Sequence, residues 1–171
     1  MAAAGLLILR VVIGAIMFGH GAQKMFGWWG GPGMAGWTQA MVRMRIRPPR
    51  AWAWISALGE IGGGVLLILG LLTPLACAAV ASSMLVAIAL VHLPKGFWVS
   101  KGGYEFNLAI LGAIVALALI GPGSASLDSA LGIHLPEPVT LIVLVLAVIA
   151  GVAGTLLSRA PAPAPVKSET A

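Results

Sequence analysis

Five apolar runs, near residues 5–24, 51–72, 75–93, 105–121 and 139–157, take up most of this chain. Each approaches the ~20 residues that a helix needs to cross ~30 Å of hydrocarbon. In lipid every backbone N–H and C=O must find a partner inside the protein, which leaves only helices and closed barrels as spanning structures. A barrel strand alternates apolar and polar residues, and LLILGLL or VTLIVLVLAVIAG alternate nowhere. The expected fold class is therefore all-α, a polytopic transmembrane helical bundle. Composition agrees: 60% of the 171 residues are hydrophobic, 9% are charged, and the mean hydropathy is +1.03, whereas a soluble domain carries roughly 25% charged residues.

The first run is read as a retained helix rather than a cleaved signal, because MAAAG lacks a positive charge and Arg10 lies inside the apolar stretch. Cys77 is the only cysteine, so the chain has no intramolecular disulfide, no CxxC pair and no multi-cysteine metal site. Electrons for any redox chemistry must then come from a partner or a cofactor.

Counting basic residues in the connections predicts an amino terminus outside and a carboxyl terminus in the cytoplasm. Lys24, Arg43, Arg45, Arg47, Arg50, Lys95, Lys101, Arg159 and Lys167 fall on one face, and Asp128 and Glu137 on the other. The same count accounts for the net charge of +5 and the pI near 10.2 without a nucleic-acid partner. RMRIRPPR, with Arg43, Arg45, Arg47 and Arg50 just before an apolar span, suits anionic lipid headgroups. Ahead of it, three tryptophans and several glycines suggest an interfacial turn. Met34, Trp37, Met41 and Met44 then recur at helical spacing, as in a helix lying on the membrane. Residues 159–171 carry a proline-alanine stretch with too little apolar bulk to fold, and are expected to be a disordered cytoplasmic tail.

Ionisable residues within spans cost ~2.5–3.5 kcal/mol each at the bilayer centre, so each needs a partner or a task. Arg10 in the first run and Glu60 in the second lie deepest and are expected to pair. LGEIGGGV around Glu60 keeps Gly59, Gly62, Gly63 and Gly64, which implies that another backbone comes close. A second polar set gathers at the cytoplasmic helix ends: His20 and Lys24 close the first helix, His92 closes the third, and Glu105 and Asn107 open the fourth. Structural accounts exist for each, since Glu105 suits a helix amino end and Gly102 and Gly103 allow a tight turn. As a set they admit three chemistries. A divalent metal is disfavoured by the absence of HxxxH or HExxH spacing. A quinone headgroup near Phe97, Trp98 and Tyr104 is a second choice. A proton or small-solute path through Arg10, Glu60, His20 and His92 is the third.

The segments LRVVIGAIMFGHGAQKMFGWWGGPG, GEIGGGVLLILGLLTPLA and VHLPKGFWVSKGGYEFN, in this order, resemble the DoxX family of bacterial membrane proteins. The resemblance implies a four-helix bundle in the inner membrane, spanning residues 1–130 here. It also implies kinship with the DoxD-type subunit of thiosulfate:quinone oxidoreductase and with membrane complexes handling thiols and oxidative stress. The positions matching its motifs are Arg10, His20, Gly21, Lys24, Glu60, His92, Gly103 and Glu105. Residues 131–158 go beyond the usual four helices and predict an additional one. The expectation is thus a quinone-linked membrane subunit of an oxidoreductase system, with no metal and with His20, His92 and Glu105 forming a polar pocket. Its rivals are a small-solute or proton carrier using Arg10 and Glu60, and a non-catalytic assembly subunit or homo-oligomer.

Overall fold

The computed structural model describes residues 1–161. Its helices are α1 (Ala2–Phe26), α2 (Gly33–Arg43), α3 (Pro49–Leu69), α4 (Thr73–Ala87), α5 (Glu105–Ile120), α6 (Leu127–Ala130) and α7 (Glu137–Leu157). α4 continues through a π turn at Ile88–His92 and a 3-10 turn at Leu93–Lys95. α1, α3, the continuous Thr73–Lys95 helix and α7 are each long and apolar enough to cross a membrane, and α5 is a shorter apolar helix of 16 residues. The five apolar runs are thus five helices in an all-α bundle.

α1 and α3 form its tightest contact. They run antiparallel, and a Cβ on Gly14 would lie 2.6 Å from the Gly64 carbonyl oxygen, while one on Gly21 would lie 2.8 Å from that of Ala57. The backbones therefore touch where side chains would hold them apart. Of the four glycines flanking Glu60, only Gly64 meets another backbone this closely. A Cβ on Gly63 would make ordinary to tight contact with α4, and Gly59 and Gly62 have nothing within 4 Å. The expected close approach is real but narrower than the glycine run suggested.

α4 lies on α3, α5 on α4, and α1 closes the ring. Ile13, Met17, Leu67, Cys77, Val80, Ile114 and their neighbours fill the centre. α7 packs against the outside of α4, with Leu144 and Val148 touching the core. Its carboxyl end is clamped to the α2–α3 link: Arg47 N–H donates to the Ser158 carbonyl (2.9 Å), and Ala160 N–H to that of Arg45 (2.8 Å). Arg159 Nε donates to the Met44 carbonyl (3.2 Å). The expected tail at 159–171 therefore begins as an ordered pairing at Arg159 and Ala160, and residues 162–171 lie outside the described residues.

These connections sort the ends of the bundle. Lys24, Arg43, Arg45, Arg47, Arg50, Lys95, Lys101 and Arg159 gather at one, the basic end, and Asp128 and Glu137 at the other, the acidic end. α2 differs from the expected membrane-surface helix. Its stripe is turned toward α3, where Met41 (4% exposed) joins Ile46 and Ala53 in a small second core, with Met34, Trp37 and Met44 packed on it.

Candidate functional site

The α1–α3 register decides which cation meets Glu60. Pairing Gly14 with Gly64 and Gly21 with Ala57 sets Glu60 opposite Phe18. Lys24 is then six residues away along α1, about 9 Å, and Arg10 eight residues the other way, about 12 Å. Lysine's long stem covers the shorter distance. Lys24 Nζ lies 2.5 Å from Glu60 Oε1, and Ser83 Oγ from α4 donates to the same oxygen at 2.5 Å. Glu60 is 2% exposed, and its Oε2 has no hydrogen-bond partner. Trp37 of α2 stands over the ammonium, 4.3 Å from Nζ to the ring centroid, and its indole N–H donates to Ser56 Oγ (2.7 Å). His20 lies one turn back along α1 from Lys24.

The expected Arg10–Glu60 pair is therefore corrected. Arg10 is fully buried at the acidic end, where its Nη2 donates to the Ala125 carbonyl and the guanidinium lies against Gly70. Asp128 lies three residues beyond Ala125 in the same connection, and its N–H donates to the Gly70 carbonyl (2.8 Å). Asp128 itself serves as the cap of α4: Oδ1 accepts from Leu72 N–H (2.7 Å), and Oδ2 from Thr73 N–H (2.9 Å) and Thr73 Oγ1 (2.7 Å). Arg10 and Asp128 together tie the α5–α7 connection to the α3–α4 turn.

The Lys24–Glu60 pair opens on a cavity of about 340 Å³ between α2, α3, α4 and α7. Its α4 wall is one continuous helix face, Leu75, Ala78, Ala79, Ser82, Ser83, Val86 and Ala87, at spacings of three and four residues. Those side chains are mostly small, which makes room between α3 and α7. Gly59, with nothing within 4 Å of where a Cβ would stand, adds to the space, and α7 supplies Ala147, Gly151 and Thr155. The lining is apolar apart from Lys24, Glu60 and a few hydroxyls, the pattern of a small-molecule site in which few polar groups fix orientation.

The other expected pocket, of His20, His92 and Glu105, lies off this cavity. His92 Nδ1 is 2.7 Å from the Gly102 carbonyl oxygen, and Glu105 Oε2 accepts from Val99 N–H (3.0 Å), so each is engaged within the 93–104 loop. His20 packs with its ring tilted against Phe106, centroids 5.9 Å apart. None of the three lines the cavity, and of the residues first grouped with them only Lys24 does. Of Phe97, Trp98 and Tyr104, proposed as quinone contacts, Phe97 meets Trp98 and Tyr104 edge to face at 5.0 and 5.6 Å, and they too lie off the cavity. Among the described residues no three His, Cys, Asp or Glu side chains gather as a metal-holding group.

Residues 5–93 match the DoxX family, which takes in α1 to α4 and hence Lys24, Glu60, Ser83 and Trp37. The chain belongs to the DoxX family. It is similar to the Bacillus subtilis (strain 168) protein named "Putative oxidoreductase CatD", 34% identical over 72% of this chain and 84% of that protein. It is also similar to two Escherichia coli (strain K12) proteins. Inner membrane protein YphA is 30% identical over 72% of this chain and 87% of its own length, and inner membrane protein YqjF 29% over 72% and 89%. No solved structure matches the chain.

In this DoxX protein the ion pair can donate a hydrogen bond from Lys24 and accept or deliver a proton at Glu60 Oε2, both inside an apolar enclosure that strengthens each interaction. Sequence reasoning missed Ser83, Ser56 and Trp37. The usable signal was the small face of α4, where Ala78, Ala79, Ser82 and Ser83 fall on one side.

Proposed function

We propose that this DoxX protein is a quinone-linked subunit of a bacterial inner-membrane oxidoreductase system concerned with thiosulfate, thiols or oxidative stress, and that the quinone headgroup is taken at Lys24, Glu60 and Ser83. The observation that carries this reading is the buried Lys24–Glu60 pair, with Glu60 Oε2 unpartnered, at the wall of an otherwise apolar cavity. A carbonyl-bearing ring on an apolar tail has the same division of character. The oxidoreductase in the name of the Bacillus relative supports the reaction class, and the names of the Escherichia coli relatives support the inner membrane.

Reduction of a quinone to its quinol takes two electrons and two protons. Cys77 is a single buried thiol, so no dithiol in this chain provides the electrons, and a partner subunit is assigned that part. Lys24 offers an N–H donor to a headgroup oxygen. Glu60, held by Ser83, exchanges the proton, and Trp37 steadies the ammonium. The basic end is assigned to the cytoplasm by its excess of lysine and arginine. There Arg43, Arg45, Arg47 and Arg50 meet anionic lipid headgroups rather than nucleic acid. In the rival carrier reading, Arg10 and Glu60 would act as separate stations, since Glu60 pairs with Lys24 and Arg10 donates to the Ala125 carbonyl.

Lipid extraction and ultraviolet spectra of the purified protein test the proposal, together with quinone reduction in membranes. Wild-type protein is expected to retain quinone, and Glu60→Gln to lose most of the activity. Absence of quinone together with an unaffected Glu60→Gln variant overturns it.

A further inference from the structure

α7 lies outside the residues 5–93 that match the family, yet it forms a wall of the cavity through Ala147, Gly151 and Thr155, spaced four residues apart along one face. Two features hold that wall in place. A Cβ on Gly151 would stand 2.7 Å from Ser82 Oγ, so α7 meets α4 at the residue next to Ser83. At the basic end, the pairing of Arg45 and Arg47 with Ala160 and Ser158 fixes α7 to the link that carries the cavity residues Met44 and Ile46.

Gly151 is therefore level with the polar centre, where Ser83 meets Glu60. Ala147 lies four residues, ~6 Å, toward the acidic end. Across from it are Leu75, Ala78 and Ala79 of α4, so this half of the cavity is walled by apolar and mostly small side chains. We infer that α7 is the selectivity element of the site: the tail of a prenyl- or alkyl-bearing ligand leaves the polar centre past Ala147, whose small side chain decides what tail is admitted. The inference rests on the quinone reading for the headgroup and adds the placement of the tail.

Binding of two probes to full-length protein in nanodiscs, followed by quenching of tryptophan fluorescence, tests it. One probe is a decyl-substituted benzoquinone and the other the same headgroup without a tail. Ala147→Phe is expected to weaken the decyl probe at least tenfold and leave the tail-less probe within twofold. Ile149→Phe, on the exposed face of α7, is expected to change neither. Should Ala147→Phe fail to fold, Ala147→Val is expected to weaken the decyl probe about threefold on the same pattern. If wild type binds neither probe, the quinone reading itself fails. If wild type binds both and the substitutions at Ala147 change neither, or weaken both alike, the quinone reading stands and the tail assignment is overturned.

Discussion

Lys24 Nζ lies 2.5 Å from Glu60 Oε1, joining the basic end of α1 to the middle of α3 across the edge of a cavity. The pair is enclosed, with Glu60 3% and Lys24 17% exposed at the side chain. Removing one partner leaves the other charge buried, which costs ~3–5 kcal/mol, whereas replacing both by apolar groups is close to neutral. Lys24→Met is expected to destabilise the protein by about 3 kcal/mol in thermal unfolding in detergent. Lys24→Met with Glu60→Met recovers more than half of that loss while leaving quinone reduction abolished. A double variant less stable than the single one would contradict the pairing.

The separation of Arg10 from Glu60 predicts the outcome of two double-mutant cycles. Residues in direct contact couple by ~0.5–3 kcal/mol, and distant ones add within ~0.5 kcal/mol. Lys24 with Glu60 should show coupling above about 1 kcal/mol, and Arg10 with Glu60 none beyond error. Denaturant unfolding of wild type, the two single variants and the double variant in each cycle reads this directly.

Asp128 accepts three hydrogen bonds at the start of α4, and Arg10 holds the adjoining Ala125 carbonyl. A lost cap costs ~0.5–2 kcal/mol, and a lost hydrogen bond to a charged group ~1.5–3 kcal/mol. Asp128→Ala and Arg10→Met are each expected to destabilise by about 2 kcal/mol. Hydrogen exchange should show faster exchange at the Leu72 and Thr73 amides in Asp128→Ala, with the Lys24–Glu60 end of the bundle unchanged.

Glycines of similar appearance in the sequence are expected to behave differently. Gly64→Val places side-chain atoms against the α1 backbone, where a Cβ alone would lie 2.6 Å from the Gly14 carbonyl oxygen. It should cost more than 2 kcal/mol, in line with overpacking of a closed interface. Gly59→Ala meets nothing within 4 Å and, relieved of glycine's helix penalty, should leave stability unchanged or raised by up to ~1 kcal/mol. Thermal unfolding of the two variants side by side checks the contrast.

The five apolar helices, their order and the gathering of basic residues at one end were legible in the sequence, because the length of an apolar run and the position of a charge are properties of single segments, whereas the four-residue α6 left no such mark. The glycine run around Glu60 also pointed to close packing, but of its members only Gly64 meets the α1 backbone, and the partners opposite on α1, Gly14 and Gly21, drew no such reading from the sequence. The register between α1 and α3 was not legible. Depth counted from helix ends put Arg10 beside Glu60, whereas the glycine contacts slide α1 so that Lys24 reaches it. His92 and Glu105 resembled site residues because they are polar within a greasy chain, and their partners, Gly102 and Val99, lie in the same loop. The cavity depends on α7 meeting α4, a contact between distant segments whose only trace is small residues on both faces.

A density map at side-chain resolution of the protein with added quinone tests the central claim most directly. The account predicts headgroup density within hydrogen-bond distance of Lys24 Nζ and Glu60 Oε2, with a tail running past Ala147. An empty cavity with headgroup density instead between His20, His92 and Glu105 would contradict it.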